Sequence, residues 1–359
     1  MRIAVTGSIA TDHLMVFPGR FADQLIPDQL AHVSLSFLVD ALEVRRGGVA
    51  ANISFGLGRL GLDPLLVGAV GADFAEYEVW LKEHGVDTGA VHVSAEHGTA
   101  RFMCITDEDA NQIAAFYAGA MQEARDIDLA GVLHGRPRPD LVLVGPNDPE
   151  AMLRHTRECR DLGLPFAADP SQQLARLDGP QVRDLVDGAR WLFTNEYEAA
   201  LLLERTGWAR DDVLARVGAW VTTLGGDGVR VERAGHDPLL VAAVPDATIT
   251  DPTGVGDAFR AGFLAALSHG LPLPAAARLG CVVASSALSA VGSQAYPLDP
   301  RDLLKTAERA YGAAAAADLA PALDALTASE PPESRTPLTP LTPLTSSTSP
   351  TSPTSLDGT

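Results

Sequence analysis

Through roughly the first 326 residues, short continuous apolar runs alternate with stretches whose apolar positions recur every three or four residues. The runs Arg2–Gly7, Leu65–Val70, Leu141–Gly145, Phe166–Asp169, Trp191–Thr194 and Trp220–Leu224 predict strands buried on both faces. Between them, Val49, Ile53, Leu57 and Leu60 fall on one helical face that ends at Gly61. Helical patterns over Glu150–Leu162 and Glu196–Arg205 are closed by Gly163 and Gly207, as C-terminal glycine caps require. The apolar run Leu279–Gly292 falls short of the roughly 20 residues a bilayer span needs, so it predicts a buried helix. This alternation predicts an α/β fold, a mostly parallel central sheet with helices on both faces.

Two segments break the rhythm. Ile9–Arg46 contains VSLSFL and ALEVR, which predict strands, and Thr99–Tyr117 predicts a hairpin: RFMCIT, a polar DEDANQ turn, then IAAFY. Together they are expected to form a small β lid, from about 9–46 and 99–117, within one domain over 1–326. From about Ser329 the chain turns to Ser, Thr and Pro, with Thr-Pro-Leu three times in tandem from Thr336. Residues 327–359 are therefore expected to be a disordered tail.

Composition narrows the chemistry. Basic residues number 27 against 46 acidic, a formal charge of −19, so neither nucleic-acid nor acidic-membrane binding is expected. Three scattered cysteines, Cys104, Cys159 and Cys281, predict neither a disulfide framework nor a cysteine zinc site, and fit a reducing, cytoplasmic setting. Cys104 and Cys281 sit in apolar runs and are expected to be inert core thiols. The N-terminal apolar run is interrupted by Asp12 and His13, too early for a signal peptide. The only lysines, Lys82 and Lys305, do not follow glycine, which excludes a Walker A loop. Phosphate chemistry must then rest on backbone amides, arginine and metal. Gly56-Leu-Gly58-Arg-Leu-Gly61 spells a dinucleotide fingerprint, but it ends a helix and precedes a strand, the reverse of the required order. It is read as close packing, which disfavours an NAD enzyme. The nine histidines contain no H-E-x-x-H or i, i+4 pair, so no zinc site is expected.

The most informative stretch is Asp251-Pro-Thr-Gly-Val-Gly-Asp257-Ala-Phe-Arg-Ala-Gly-Phe263. A glycine turn opens an amphipathic helix carrying Val255, Phe259, Phe263 and Leu267 on one face. Its first amides lack intrahelical partners, and the helix dipole adds positive potential, which makes an anion site without lysine. Asp257 lies in the first turn, where a carboxylate would repel a bound phosphate unless it served as a base toward a phosphoryl acceptor. A simple helix-capping role fits the local sequence as well.

This stretch resembles the C-terminal signature of the ribokinase-like (PfkB) family of carbohydrate and nucleoside kinases. Gly47-Gly48-Val-Ala-Ala-Asn52 resembles the N-terminal signature, Thr194-Asn195-Glu196-Tyr-Glu198 the N-x-x-E motif, and Val221-Thr-Thr223-Leu-Gly225-Gly-Asp-Gly228 the nucleotide loop. The four are co-linear over about residues 1–326. MRIAVTGSIATDHLM, the PGRF segment, VSLSFLVD and ADPSQQLARL are most similar to bacterial-type adenosine kinases of the family.

The resemblance implies that Asp257 takes the proton of a nucleoside 5′-hydroxyl while the amides of Gly254, Val255 and Gly256 stabilise the γ-phosphoryl of ATP. Asn195 and Glu198 would hold Mg²⁺ through water, and Asp251 and Thr253 match part of a K⁺ site. Asp12, with Gly48 and Asn52, would bind the ribose. Gln172 and Gln173 would read the purine edge, Phe102 and Phe116 would sandwich the base, and Ser8, Ser36 and Arg176 would add weaker contacts. Thr223, Gly225 and Gly228 would line the ATP groove, with Asn195 beside it. Ser36 and Phe37 would lie in a lid strand through which a homodimer forms. The expected activity is phosphorylation of adenosine to AMP, a purine-salvage step. A kinase for another nucleoside or a free sugar is the alternative within the fold. A nucleoside sensor without catalysis is disfavoured by the joint presence of Asp257, Asn195 and Glu198.

Overall fold

A computed structural model describes residues 1–25 and 34–327. The tail expected from 327 on, and Val33 of VSLSFL, lie outside the described residues, apart from Thr327 itself, which ends the last helix. The strands are β1 (Ile3–Thr6), β2 (Ala10–Val16), β3 (Ala41–Gly47), β4 (Leu65–Val70), β5 (Asp87–Val93), β6 (Ala100–Thr106), β7 (Gln112–Tyr117), β8 (Leu141–Val144), β9 (Phe166–Ala168), β10 (Trp191–Asn195), β11 (Ala219–Thr223), β12 (Val229–Glu232) and β13 (Leu239–Val241). The helices are α1 (Phe21–Gln24), α2 (Val49–Arg59), α3 (Ala75–Glu83), α4 (Leu129–Leu133), α5 (Pro149–Asp161), α6 (Gly179–Val186), α7 (Glu196–Thr206), α8 (Arg210–Leu214), α9 (Val255–Ser268), α10 (Leu273–Leu288), α11 (Pro300–Tyr311) and α12 (Ala313–Thr327).

Nine strands form one sheet in the order β13-β12-β11-β10-β9-β8-β1-β4-β5. It is parallel except for β12 and β13, which add on antiparallel. Every residue of β1, β4 and β8 is buried, because helices cover both faces. Ile3, Val5 and Phe193 pack toward α2, α9 and α10 in one core. Ala4, Val142 and Trp220 join α5, α6 and α7 in the other. The six predicted strands and the helices predicted over 49–60, 150–162 and 196–205 form with ends shifted by one residue at most, whereas the buried helix predicted in Leu279–Gly292 runs Leu273–Leu288. Strands β12 and β13 were not legible, being short and carrying Arg230 and Glu232 in an ion pair. Cys104, Cys159 and Cys281 are buried and unpaired, and burial pushes the Cys159 and Cys281 thiols up to about 12. No helix among the described residues is long and apolar enough to cross a membrane.

The lid is a separate four-stranded sheet, β3-β2-β6-β7, assembled from the two segments that broke the rhythm. One expectation fails: residues 34–38 of VSLSFL form no strand. Although its polar and apolar residues alternate, Phe37 instead packs edge-on against Phe17 and Phe21, 5.0 Å from each. Ser36 therefore lies in an irregular segment rather than in a lid strand.

The declined glycine fingerprint packs helices, as expected. A Cβ on Gly56 would meet that of Ala261 on α9 at 2.6 Å, and one on Gly58 would meet the His84 carbonyl at 2.1 Å. This seats α2 against α9, and that contact sets the geometry of the site.

Candidate active site

Strand order reverses between β1 and β8, the point at which open α/β sheets bind ligands at their strands' carboxyl ends. The candidate residues gather there. Asn195 and Thr223 end β10 and β11, Asp169 follows β9, and Ser8 follows β1.

Gly254 caps α9 with φ +76°, and a Cβ there would strike Ser293 at 2.5 Å; only glycine makes this turn without strain. The amides of Gly254, Gly256 and Asp257 have no acceptor among the described residues, whereas Val255 donates weakly to the Pro252 carbonyl at 3.4 Å. The free amides of the cradle are thus those of residues 254, 256 and 257, and Val255, named from the sequence, is partly engaged.

Asp257 is 9% exposed. Burial pushes its carboxyl up to about 7, against the opposing pull of Arg260 and the hydrogen bond from Asn52; Asp169 and Glu198 push it further up. A buried carboxyl with a pKa near neutrality suits a general base. Asn52 Nδ2 donates to Asp257 Oδ2 at 2.9 Å, while Asn52 Oδ1 accepts from Ser293 Oγ at 3.0 Å and Gln294 Nε2 at 2.9 Å. Asn52, expected at the ribose, is therefore bound to the base and fixes its rotamer. Trp80 and Tyr77 hold Gln294 in turn.

The paired glycines have separate reasons. A Cβ on Gly47 would lie 2.7 Å from Asp12 Oδ2, so its absence admits that carboxylate. Gly48, at φ +92°, would collide with the Ala10 amide at 2.6 Å. Ser8 Oγ accepts the Val49 N–H at 3.1 Å, capping α2, which leaves its proton and one lone pair for a substrate.

Register aligns Arg45, Asp12, Phe102 and Phe116 in one row across the lid, so all four share a face. Phe102 and Phe116 are exposed, at 36% and 50%. They are neighbours on one face, not opposed walls, so they form a floor for a ring and cannot sandwich it between them. Asp12 is raised to about 6 by burial, with Arg45 lowering it and Asp251 raising it further. Its carboxylate makes no hydrogen bond among the described residues, which leaves it free for adjacent hydroxyl donors.

Other assignments change. Gln173 is buried and its Nε2 donates to the Asn147 carbonyl at 2.7 Å, leaving its second amide hydrogen and an unpartnered Oε1. Gln172 accepts from Ser171 Oγ, which lies 3.4 Å from Glu198 Oε1. Gln172 thus sits beside Ser171 and Glu198, and Gln173 is tied to the Asn147 carbonyl through one amide hydrogen. Arg176 is exposed at the end of the same turn.

Asn195 and Glu198 form a reciprocal capping box, with both backbone–carboxamide/carboxylate contacts at 2.8 Å, so the capping role holds. Glu198 Oε1 keeps open valence, which fits a water-mediated Mg²⁺. The K⁺ assignment does not fit. Both Asp251 oxygens are occupied, by the Thr253 amide at 2.9 Å, the Gly292 amide at 3.0 Å and the Arg45 guanidinium at 3.1 Å. Burial opposes its ionisation, but these hydrogen bonds and Arg45 hold the carboxyl below its ordinary range. No step is routed through K⁺. On the donor side, Gly228, at φ +100°, avoids the Val241 carbonyl, while Gly225, at φ +56°, faces open space. Gly228 is thus a tight connection, and Gly225 and Thr223 border the open groove.

Sequence reasoning missed Ser293, Gln294, Arg45, Arg260 and Asp169. The last two stand inside quoted motifs, but nothing local marks them as partners.

A carboxyl buried at the mouth of an unpaired helix end, beside a lid bearing a second free carboxylate, is an arrangement suited to phosphoryl transfer to an alcohol. The model of pfkB family carbohydrate kinases matches residues 9–300, and the chain belongs to that family. A solved nucleoside kinase of Burkholderia thailandensis in complex with inosine shares 34% identity and a TM-score of 0.76, covering 86% of this chain and 98% of its own. A nucleoside kinase of Methanocaldococcus jannaschii is 29% identical over 69% of this chain and 80% of its own. A Bacillus subtilis ribokinase is 29% identical over 69% and 83%.

The Asp257 shift has a stability consequence. Its folded carboxyl titrates near 7, above the unfolded value of about 3.9, so the native state binds the extra proton. The stability gained from that proton is full at acid pH and lost as pH rises through about 7. Asp257→Asn should therefore gain melting temperature relative to wild type between pH 5 and pH 8. A relative loss over that range in calorimetry would contradict the buried-carboxyl reading.

Proposed function

We propose that the protein is an ATP-dependent nucleoside kinase transferring the γ-phosphate to a 5′-hydroxyl, with adenosine as acceptor and AMP and ADP as products. The observation that carries the reading is the Asn52–Asp257 contact at the free amides of α9. The acceptor's ribose would meet Asp12 and its base would lie on the Phe102–Phe116 floor, leaving the 5′-hydroxyl near Asp257. Asp257 Oδ1, not held by Asn52, takes the hydroxyl proton as the oxygen attacks the γ-phosphorus and the bond to the ADP oxygen breaks. The amides of Gly254, Gly256 and Asp257 take up the developing charge.

Asn195 and Glu198 would hold Mg²⁺ through water, the ion supplying charge neutralisation on the phosphates. The exposed aromatic floor favours a nucleoside over a free sugar, which would leave it bare. With Gln173 committed to Asn147, a broader purine-nucleoside specificity is the second reading. Purine salvage in the cytoplasm would be the setting. We infer pairing through the lid as well, because Leu42, Val44, Ile113 and Tyr117 project from its other face, 43–62% exposed; such a face favours a second copy.

Coupled ADP release with Mg²⁺ should be at least about 10-fold faster with adenosine than with ribose, and Asp257→Asn should lower turnover by about 10²–10⁴-fold. Inosine and cytidine arms resolve the breadth of acceptance; a rate highest with ribose would overturn the nucleoside assignment. In sedimentation, wild type should be dimeric and Leu42→Glu/Val44→Glu monomeric. A monomeric wild type would remove the lid interface.

A further inference from the structure

One buried charge has no part in the proton transfer described above. Arg260 lies one turn after Asp257 and four residues after Gly256 on α9. Its side chain leans back toward the helix N-terminus, as helical geometry dictates, and is 8% exposed against an Asp169 side chain that is 0% exposed. Arg260 Nη2 donates to Asp169 Oδ1 at 2.6 Å, and Nε stands 2.6 Å from Oδ2 as a charge contact out of hydrogen-bond alignment. The guanidinium carbon lies 5.6 Å from the Phe193 ring centre. Nη1 has no acceptor among the described residues, and a Cβ on Gly256 would lie 2.8 Å from it. The absence of a side chain at Gly256 thus leaves this guanidinium room beside the turn.

We infer that Arg260, clamped by Asp169, is a positioning residue that presents a fixed positive charge beside the 254–257 turn and so holds Asp257 in its proton-accepting form. This rests on the proposed kinase reading. Desolvation opposes the charge on Arg260, but Asp169 and Asp257 outweigh it and strengthen its hold on the proton. Burial raises the Asp169 carboxyl while Arg260 draws it down; with two contacts at 2.6 Å the pair is ionised. The other groups facing Asp257 cannot replace this charge. Asn52 from α2 is neutral, Asp169 after β9 and Glu198 from α7 are acidic, and Tyr77 from α3 and Tyr296 after α10 are held protonated by burial.

The test compares wild type with Arg260→Met, Arg260→Lys, Asp169→Asn and the double variant Arg260→Met/Asp169→Asn, which leaves no unpaired charge in the core if Arg260→Met fails to fold. Two readouts are followed against pH: kcat/KM with adenosine, and the Asp257 carboxylate band in infrared difference spectra against Asp257→Asn. The midpoint should rise by about one pH unit or more in Arg260→Met, lie above that of Asp169→Asn alone in the double variant, because Asp169 itself raises Asp257, and stay near wild type in Arg260→Lys. An unmoved infrared midpoint in Arg260→Met, or a double-variant midpoint no higher than that of Asp169→Asn alone, would overturn the inference, as would Arg260→Lys shifting as far as Arg260→Met. If wild type transfers no phosphate, the kinase reading fails while the infrared titration still decides the role of Arg260.

Discussion

A carboxylate sheltered from water is costly to ionise, yet a proton acceptor is useful only when ionised. In the proposed mechanism Asp257 resolves this conflict through neighbours placed before any substrate arrives. Asn52 fixes one oxygen, the first turn of α9 adds oriented amides, and Arg260 supplies charge. The packing around it serves this arrangement. Gly56 lets α2 approach α9, which brings Asn52 to Asp257, and the loop holding Ser293 and Gln294 locks the amide of Asn52 from behind.

The lid is tied to the same centre. Arg45 on β3 reaches Asp251, whose other contacts are the amides of Thr253 and Gly292. The strand that carries the acceptor-binding row is thus joined to the loop that shapes the phosphate turn. Asp12 lies in register with Arg45 and owes part of its charge balance to that guanidinium. The proposed acceptor and phosphate subsites are therefore linked through one ion pair, in a chain with only two lysines.

The sheet was legible because its central strands are apolar on both faces, and α9 because a glycine turn meets an amphipathic pattern. Asp257 and the anion turn could be read locally, since both the residue types and the chemistry lie within seven positions. What could not be read was how side chains are shared across distance. Asn52 and Asp257 are 205 residues apart, Asn52 and Gln294 242, and Asp169 and Arg260 91. For that reason the protein partners of Asn52, Gln173 and Asp251 cannot be read from the sequence, whatever ligand contacts those residues also make. VSLSFL misled for another reason: alternation marks a strand only where a neighbouring edge is free to pair, and Phe37 had a better partner in the Phe17–Phe21 cluster.

The most direct measurement is a crystal structure with adenosine and a non-hydrolysable ATP analogue. The terminal phosphate should accept hydrogen bonds from the amides of Gly254, Gly256 and Asp257, with the 5′-hydroxyl within about 3.2 Å of the Asp257 carboxylate. A nucleotide bound elsewhere, with that turn empty and the hydroxyl out of reach of Asp257, would contradict the account.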